Sequence, residues 1–251
     1  MHPSDQPDAR RDVAEANDLA LAQRWLEASV PAIFPPECVV AVQRYDSSAF
    51  TPNAVDVAAV SGAVEKRQRE FAAGRAAVRR AQGKLGVPVS PIAIGPDRNP
   101  LWPTGLSGSI THTAGLALAV VARRERIAAL GIDLEVAGAV KEELWPGILT
   151  AAETDWIRAQ PVNHQSDLAT LIFCAKECFF KLQYPLTGTW VEFREAEVSL
   201  APDNMEFSLL CSKAPVTDQL GQALFTGRYA NDCGFTLAVM YLPGPEADPV
   251  P

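Results

Sequence analysis

The stretch FCAKECFFK, residues 173–181, is apolar almost all round, yet it carries Lys176, Glu177 and Lys181. Burying a charged side chain is costly unless the charge is paired or holds a metal ion. The stretch therefore predicts a helix that other parts of the chain cover on more than one side, with charged groups that need partners.

Helical spacing divides this segment into two faces. With successive side chains about 100° apart, one narrow stripe forms a core face. Its members are Leu168, Leu171, Ile172, Ala175, Cys178, Phe179 and Leu182. Glu177 points the opposite way. Its neighbours there are Thr170, Phe173, Phe180 and Lys181. Because two phenylalanines rarely flank a solvent-facing glutamate, we expect Glu177 to be partly buried. Its partner is either Lys181, four residues on, or a metal ion.

Two further acids lie in the segment LGIDLE, residues 130–135. A strand would place Leu130, Ile132 and Leu134 on one face, and Asp133 and Glu135 on the other with their Cα atoms about 7 Å apart. The acidic face is either exposed to solvent or arranged around a cation. Three carboxylates with water and phosphate oxygens suit Mg²⁺, which prefers an octahedron of oxygen ligands.

Basic residues are concentrated in residues 66–84, which hold seven of the 22 lysines and arginines but one acid, although the whole chain has a net charge of −8. This segment is either a local site for an anion or a solvated helix face, rather than a general nucleic-acid surface. His112 follows a loop rich in proline and glycine and stands among small hydroxyl residues in GSITHT. Phosphate contact is one role for such a histidine.

Periodicity and turn residues predict the remaining elements. Helices are expected at 9–29, 62–85 and 141–160, and strands at 38–45, 116–122, 127–135, 196–200, 207–211 and 236–242. The short connection between the strands at 116–122 and 127–135 favours antiparallel pairing of these two. Residues 1–8 and 243–251 are expected to be disordered. Helices and strands alternate without a βαβα rhythm, so an α+β fold is predicted.

Bulk composition limits the classes of protein. The chain has 251 residues, of which 48% are hydrophobic, enough for one large domain or two modest ones. It has no apolar run of the length of a membrane span or a secretory signal, so a cytoplasmic protein without a membrane partner is expected. The five cysteines are scattered without a CxxC motif, which favours reduced thiols over disulfides or a zinc site.

These motifs, in this order, resemble the 4′-phosphopantetheinyl transferases of the Sfp type, and within them the enterobactin-synthase component D-like branch of siderophore synthesis. The resemblance covers residues 71–181. It is carried by FAAGRAAVRRA (71–81), RNPLWPTGLSGSITHT (98–113), GIDLE (131–135) and FCAKECFFK (173–181), with LTAAETDWI (149–157) as a weaker match. The family usually has Trp where Phe173 stands and Ser where Thr111 stands, and both changes keep the character of the side chain.

The resemblance implies a reaction and a fold. The enzyme would move the 4′-phosphopantetheine group of coenzyme A onto a serine of an acyl or peptidyl carrier protein and release adenosine 3′,5′-bisphosphate. The family fold is a pseudo-twofold pair of similar α+β halves in one chain. The halves are expected at residues 1–125, with the coenzyme A-binding residues, and 126–251, with the metal-binding acids. The active site would lie in the cleft between them, and the protein would be a monomer.

The resemblance also implies roles for individual residues. The metal ion, Mg²⁺ with Mn²⁺ left open, would be held by Asp133, Glu135 and Glu177. Catalysis would use Glu177, Lys181 and His112, with the serine proton taken by Glu177 or by a water that it orients. Coenzyme A would be bound by Arg75, Arg79, Arg98, Ser109, Thr111, His112 and Lys181. Which arginine holds the 3′-phosphate, and which carrier is modified, stay open.

Two other functions fit the same residues. A Mg²⁺-dependent nucleotide phosphohydrolase would share the acids and the basic segment, but it would consume coenzyme A without any carrier protein. A non-catalytic module that binds carrier proteins would bind a carrier without changing its mass.

Overall fold

A computed structural model describes residues 9–46 and 50–246, and for residues 9–17 the backbone alone. The helices are α1 (Ala9–Ile33), α2 (Ala54–Ala58), α3 (Glu65–Lys84), α4 (Trp145–Ile148), α5 (Ala151–Arg158), α6 (Val162–Thr187) and α7 (Ala214–Leu220). The strands are β1 (Val39–Arg44), β2 (Ala93–Ile94), β3 (Pro100–Leu101), β4 (Leu106–Thr113), β5 (Leu116–Arg123), β6 (Ile127–Val136), β7 (Ala196–Ala201), β8 (Glu206–Cys211), β9 (Leu224–Asp232) and β10 (Phe235–Pro243). The expectation of disorder at 1–8 and at 247–251 falls outside the described residues. For 243–246 it is wrong: β10 ends at Pro243, and the N–H groups of Gly244 and Glu246 donate to the carbonyl oxygens of Arg126 and Glu125.

The strands form two main antiparallel sheets and a small β2–β3 ribbon. The first sheet has the order β1-β5-β4, and the second has the order β6-β10-β9-β8-β7. In the first sheet β1, which precedes a long helix, pairs with β5, the second strand of the β4–β5 hairpin. In the second sheet β6, which also precedes a long helix, pairs with β10, the second strand of the β9–β10 hairpin. The long helix is α3 in the first half and α6 in the second. The predicted α+β class is confirmed, and the three-strand order β1-β5-β4 recurs as β6-β10-β9 within the larger second sheet.

Each long helix packs its apolar stripe on its own sheet. Ala77, Val78 and Ala81 of α3 share a core with Ala119 and Val121 of β5. The predicted core face of α6 is confirmed, since six of its seven residues lie in the buried core of the second half and Leu168 packs against it.

Close approach of α6 to the second sheet depends on one glycine. A Cβ atom on Gly131 of β6 would overlap the carbonyl oxygen of Cys178 in α6. The glycine of GIDLE therefore lets the helix that carries Glu177 lie directly on the strand that carries Asp133.

A third core joins the two halves. Leu26 and Val30 of α1 pack with strands of the first sheet and with the inward face of β6, which presents Leu130, Ile132 and Leu134. The predicted division of β6 into an apolar and an acidic face is confirmed. Because one face of β6 is fixed in this core, its Asp133 and Glu135 cannot change sides.

The predicted pairing of the strands at 116–122 and 127–135 is wrong. β5 lies in the middle of the first sheet, with β1 on one side and β4 on the other, so both of its edges are already bonded. The turn at 124–126 carries the chain into the second sheet, where β6 pairs with β10. Short separation in sequence favoured a hairpin, but long-range pairing determined the partners.

The helix expected at 141–160 is also wrong as a single element. The structure has a 3₁₀ turn at Glu142–Leu144, then α4, then α5. The side chain of Thr150 accepts from the backbone N–H of Glu153, whose carboxylate accepts from the N–H of Thr150. This capping box starts a new helix after an extended residue, Leu149.

The exposed edge of β1 is covered by basic side chains rather than by another strand. Arg80 of α3 donates to the carbonyl oxygen of Val42 at 2.7 Å, and Lys84 donates to that of Val40 at 3.2 Å. Arg69 donates to the carbonyl of Tyr45, just past the strand, at 2.7 Å. Part of the basic segment therefore has a structural role that its net charge did not indicate.

Lys176 and Glu153 form an ion pair inside the second half, with side chains about 1% exposed. Lys176 Nζ donates to Glu153 Oε2 at 2.7 Å and to two backbone carbonyl oxygens, of Ile148 and Phe193, at 2.9 Å each. Glu153 Oε1 accepts from the N–H of Val198 at 2.7 Å. Lys176, one of the three charged residues of segment 173–181, thus links α6 to α5 and, through Glu153, to β7.

No helix among residues 9–46 and 50–246 is long and apolar enough to cross a membrane. The five cysteines are all free thiols; four are buried and Cys233 is partly exposed.

Candidate active site at the junction of the two halves

A cavity of about 490 Å³ lies where α3 and β4 of the first half face β6 and α6 of the second. Nine of the ten predicted site residues line it: Arg75, Arg98, Ser109, Thr111, His112, Asp133, Glu135, Glu177 and Lys181. Arg79, the tenth, is not among the lining residues of this cavity. The chain therefore brings its acids, its histidine and part of its basic segment to one place.

Asp133 is the most deeply buried acid of the cavity, at 3% exposure. Its Oδ1 accepts hydrogen bonds from Lys181 Nζ at 2.6 Å and from Thr111 Oγ1 at 3.1 Å. Within the described part of the chain, its Oδ2 is buried and has no hydrogen-bond partner. A buried carboxylate oxygen in that position has unused capacity to bind a cation.

The other two acids are held in unfavourable electrostatic surroundings. Burial, with a further contribution from the charge of Asp133, raises the pKa of Glu135 to about 7. Burial also raises the pKa of Glu177, and the nearby charge of Lys181 opposes that shift while Asp133 adds to it. Among the cavity residues of β6 and α6, three carboxylates therefore stand beside one cationic side chain, Lys181, and a divalent cation would relieve the excess negative charge.

The three acids are the candidate ligands of a metal ion. Across residues 9–46 and 50–246, no three His, Cys, Asp or Glu side chains are grouped so that they could already hold a metal ion. However, Asp133, Glu135 and Glu177 face one cavity, offer only oxygen ligands, and include the unpartnered Asp133 Oδ2. The type of donor and the excess charge fit a hard divalent ion.

Lys181 is paired with Asp133, so the alternative of a simple Glu177–Lys181 ion pair is wrong for the described residues. Burial by itself would lower the pKa of Lys181. The charge and hydrogen bond of Asp133, helped by Glu177, outweigh burial and raise that pKa above its usual value. Lys181 therefore stays positively charged where it lines the cavity.

His112 is linked to α3 on the opposite wall. Its Nε2 lies 2.7 Å from Arg67 Nη1, and its Nδ1 lies 3.9 Å from Glu70. Arg67 can only donate, so Nε2 accepts and the ring proton is on Nδ1. Burial lowers the pKa of His112 although Glu70 opposes the shift. The imidazole is therefore neutral near pH 7 and can donate one hydrogen bond from Nδ1.

Arg75 contributes a buried positive charge to the same wall. Its guanidinium lies 4.6 Å from the ring centroid of Phe71, and its Nε is buried without a partner in the described residues. Burial lowers its pKa to about 10, against the raising effect of Asp56, so the group is still charged at pH 7. Such a donor is suited to an anionic ligand.

Arg79 and Arg98 differ from Arg75 in position. Arg79 Nη2 is bound to Asp56 Oδ2 at 2.8 Å, and neither residue lines the cavity. Arg98 is exposed on the β2–β3 loop at the rim, with a positive φ of 62°. The role of Arg79 in coenzyme A binding stays a prediction.

Several residues that line the cavity are not among the predicted site residues. On α3, helical spacing from Arg75 leads back to Phe71, Glu70 and Arg67. On α6, the same spacing leads from Phe180 to Tyr184. Periodicity could therefore have identified these four residues. Asp97, which accepts from Tyr184 Oη at 2.7 Å, and Trp190, whose ring lies 4.9 Å from that of Phe180, have no such signal because they lie in loops.

Comparison with known proteins gives a consistent result. Residues 56–122 match a family model described as the 4′-phosphopantetheinyl transferase N-terminal domain, and residues 129–230 match the 4′-phosphopantetheinyl transferase superfamily. The chain is 36% identical over 195 residues to 4′-phosphopantetheinyl transferase Svp of Streptomyces mobaraensis, covering 76% of this chain and 78% of that protein. It is 35% identical over 181 residues to PptT of Mycobacterium tuberculosis, covering 71% and 79%. It is also 41% identical over 119 residues to enterobactin synthase component D of Escherichia coli K12, covering 46% and 54%.

Proposed function

The chain belongs to the 4′-phosphopantetheinyl transferase superfamily, and we infer that it transfers the 4′-phosphopantetheine group of coenzyme A to a serine of an acyl or peptidyl carrier protein. The observation that carries this proposal is the cavity where carboxylates of β6 and α6 face a histidine and a buried arginine from the other half. A cationic wall beside an acidic wall suits a pyrophosphate substrate together with a divalent cation.

At the phosphorus atom the reaction forms one bond to oxygen and breaks one. The carrier serine oxygen attacks the phosphorus that bears the pantetheine arm, the bond from that phosphorus to the bridging pyrophosphate oxygen breaks, and adenosine 3′,5′-bisphosphate leaves. The serine proton must be taken up. Glu177 is our candidate acceptor, because burial raises the pKa of its carboxyl towards the working pH. A water oriented by Glu177 would serve the same purpose.

Positive charge for the transferred phosphate would come from Lys181, which stays protonated beside Asp133. His112, donating from Nδ1, and Arg75, with its unpartnered Nε, would bind the pyrophosphate from the α3 side. Arg98 at the rim would contact the outer phosphates of coenzyme A. In this arrangement the nucleotide lies against the first half and the carrier serine approaches from the second.

Asp133, Glu135 and Glu177 would hold a divalent cation, for which we propose Mg²⁺, with Mn²⁺ as the alternative. When bound, the cation would neutralise charge on the pyrophosphate as the phosphorus–oxygen bond breaks. The residues that would hold it include Glu135, whose pKa is raised to about 7 by burial, with the charges of Asp133 and Glu177 adding to the shift.

We keep the division into residues 1–125 and 126–251 as a proposal. It is supported by the turn at 124–126 and by the two family matches, which end at 122 and begin at 129. A cytoplasmic location, a monomeric state, and the lack of a nucleic-acid or membrane partner stay predictions.

The decisive experiment measures intact masses of several apo carrier proteins after incubation with this protein, coenzyme A and Mg²⁺. We expect a gain of one phosphopantetheinyl group on at least one carrier. Loss of coenzyme A without a carrier would support the phosphohydrolase instead. Binding of a carrier with no mass gain across the panel would support the non-catalytic module.

Glu177→Gln tests the proton acceptor. We expect kcat to fall about a hundredfold or more, the range typical of a lost general base, with KM for coenzyme A changed about twofold at most. The control is Glu206→Gln, an exposed glutamate at the start of β8. Equal losses in kcat and in coenzyme A affinity would mean that Glu177 only binds.

A further inference from the structure

Three hydroxyl side chains of β4 join the two halves of the molecule. Ser107 Oγ donates to the carbonyl oxygen of Ile127 at 2.6 Å. Ser109 Oγ accepts from the N–H of Ile132 at 3.1 Å, and Thr111 Oγ1 accepts from the N–H of Leu134 at 3.1 Å. The alternation of strand side chains puts all three on one face of β4. They form a row of contacts with the backbone of β6, which belongs to the other sheet.

Thr111 makes one bond more than the two serines. Its hydroxyl also lies 3.1 Å from Asp133 Oδ1, to which it donates. A hydroxyl has one proton to donate. Because the carboxylate takes that proton and the N–H of Leu134 takes a lone pair, Thr111 has no proton left for a phosphate oxygen. The side chain is also 3% exposed. These observations argue against the coenzyme A-binding role that the resemblance implied for Thr111.

The hydrogen bond from Thr111 helps to set the orientation of the Asp133 carboxylate. Thr111 and Lys181 both donate to Oδ1, from β4 and α6 respectively. Two donors on one oxygen oppose rotation of the carboxylate, and they leave Oδ2 without a protein donor among the described residues. Cys174 holds the backbone of the same residue, since its Sγ lies 3.0 Å from the carbonyl oxygen of Asp133.

We propose that Thr111 is a positioning residue: its hydroxyl, supplied by the first half, fixes the Asp133 carboxylate of the second half so that Oδ2 is kept for the divalent cation. The proposal rests on the proposed function of the cavity. It implies that the two halves cooperate in forming the cation site, and that the hydroxyl of the SITH segment acts through Asp133 rather than on the substrate. A partner of this kind, behind a ligand, typically changes metal affinity or activity by about 10- to 100-fold.

The test compares Thr111→Val, Thr111→Ser and Ser107→Ala. Valine keeps the shape of threonine without its hydroxyl, serine restores the hydroxyl, and Ser107→Ala removes a buried contact between β4 and β6 that does not touch Asp133. Two readouts are measured: kcat and KM for coenzyme A in the carrier assay, and the Mg²⁺ concentration that gives half of the maximal thermal shift without substrates.

For Thr111→Val we expect the half-saturating Mg²⁺ concentration to rise about tenfold and kcat to fall about 10- to 100-fold, with KM for coenzyme A within about twofold. Thr111→Ser should restore kcat and the half-saturating Mg²⁺ concentration. Ser107→Ala should lower the melting temperature but leave kcat, KM and the half-saturating Mg²⁺ concentration near wild type. A raised KM with unchanged Mg²⁺ response in Thr111→Val, or an equal effect of Ser107→Ala, would overturn the proposal. The Mg²⁺ titration needs no carrier, so failure of wild-type protein to modify any carrier would count against the proposed function separately.

Discussion

Asp133→Ala is expected to reduce phosphopantetheinyl transfer at least about a thousandfold, a loss of about 4 kcal/mol in transition-state stabilisation. The side chain has two roles in the cavity. Its Oδ1 holds Lys181 and Thr111, and its Oδ2 is the buried oxygen without a partner among the described residues. Alanine removes the proposed cation ligand and releases Lys181 from its position at once.

The measurement is the initial rate of holo-carrier formation, followed by intact mass. Asp155→Ala, which removes an exposed aspartate of α5, is the matched control and should keep the wild-type rate. Mg²⁺ should raise the melting temperature of the wild-type protein by preferential binding to the folded state, and Asp133→Ala should lose this shift. A cooperative melt of the variant would show that it folds. Near-normal transfer by a folded Asp133→Ala protein would rule out the cation site.

Lys176→Met is expected to lower the free energy of unfolding by about 3–5 kcal/mol, the usual cost of removing one partner from a buried ion pair. The Glu153 carboxylate would then be left about 1% exposed without its counter-charge. The carbonyl oxygens of Ile148 and Phe193 would lose their donor as well. Chemical denaturation with a two-state fit gives the value directly.

Two further variants separate the buried charge from the general effect of losing a lysine. Lys213→Met removes an ion pair of similar length whose side chains are 32% exposed, and we expect a loss of about 1 kcal/mol or less. Adding Glu153→Gln to Lys176→Met removes the uncompensated charge, while the amide oxygen can still accept from Val198. The double variant should therefore be more stable than Lys176→Met. If Lys176→Met costs no more than Lys213→Met, the pair contributes little to stability.

The parts of the fold that were predictable depend on short-range patterns. The core face of α6 and the two faces of β6 follow from periods of about 3.6 and 2 residues. The wrong pairing of β5 with β6 has a different cause. Both strands were identified, but β5 was already bonded on each side by β1 and β4, and this competition is settled by contacts distant in sequence.

The candidate site also has parts that short-range sequence patterns predict and parts that depend on contacts distant in sequence. The residue types and spacing of Asp133, Glu135 and Glu177 indicated a shared cavity, and they line one. The partner of Lys181 was not predictable from helical spacing, because Asp133 on another element competes with Glu177 one turn away. For the basic segment, net charge could not show that Arg80 and Lys84 bind backbone carbonyls while Arg75 faces the cavity.

Arg80 and Lys84, which bind backbone carbonyl oxygens at the open edge of β1, affect how the protein behaves at high concentration. An open strand edge offers a template on which a second molecule can extend the sheet, the first step towards fibrils. Here two outward oxygens of that edge are occupied by long cationic side chains, so an incoming strand would have to displace them and accept a positive charge. Neutralising these amines and guanidinium groups would remove this barrier and make the first half the starting point of aggregation.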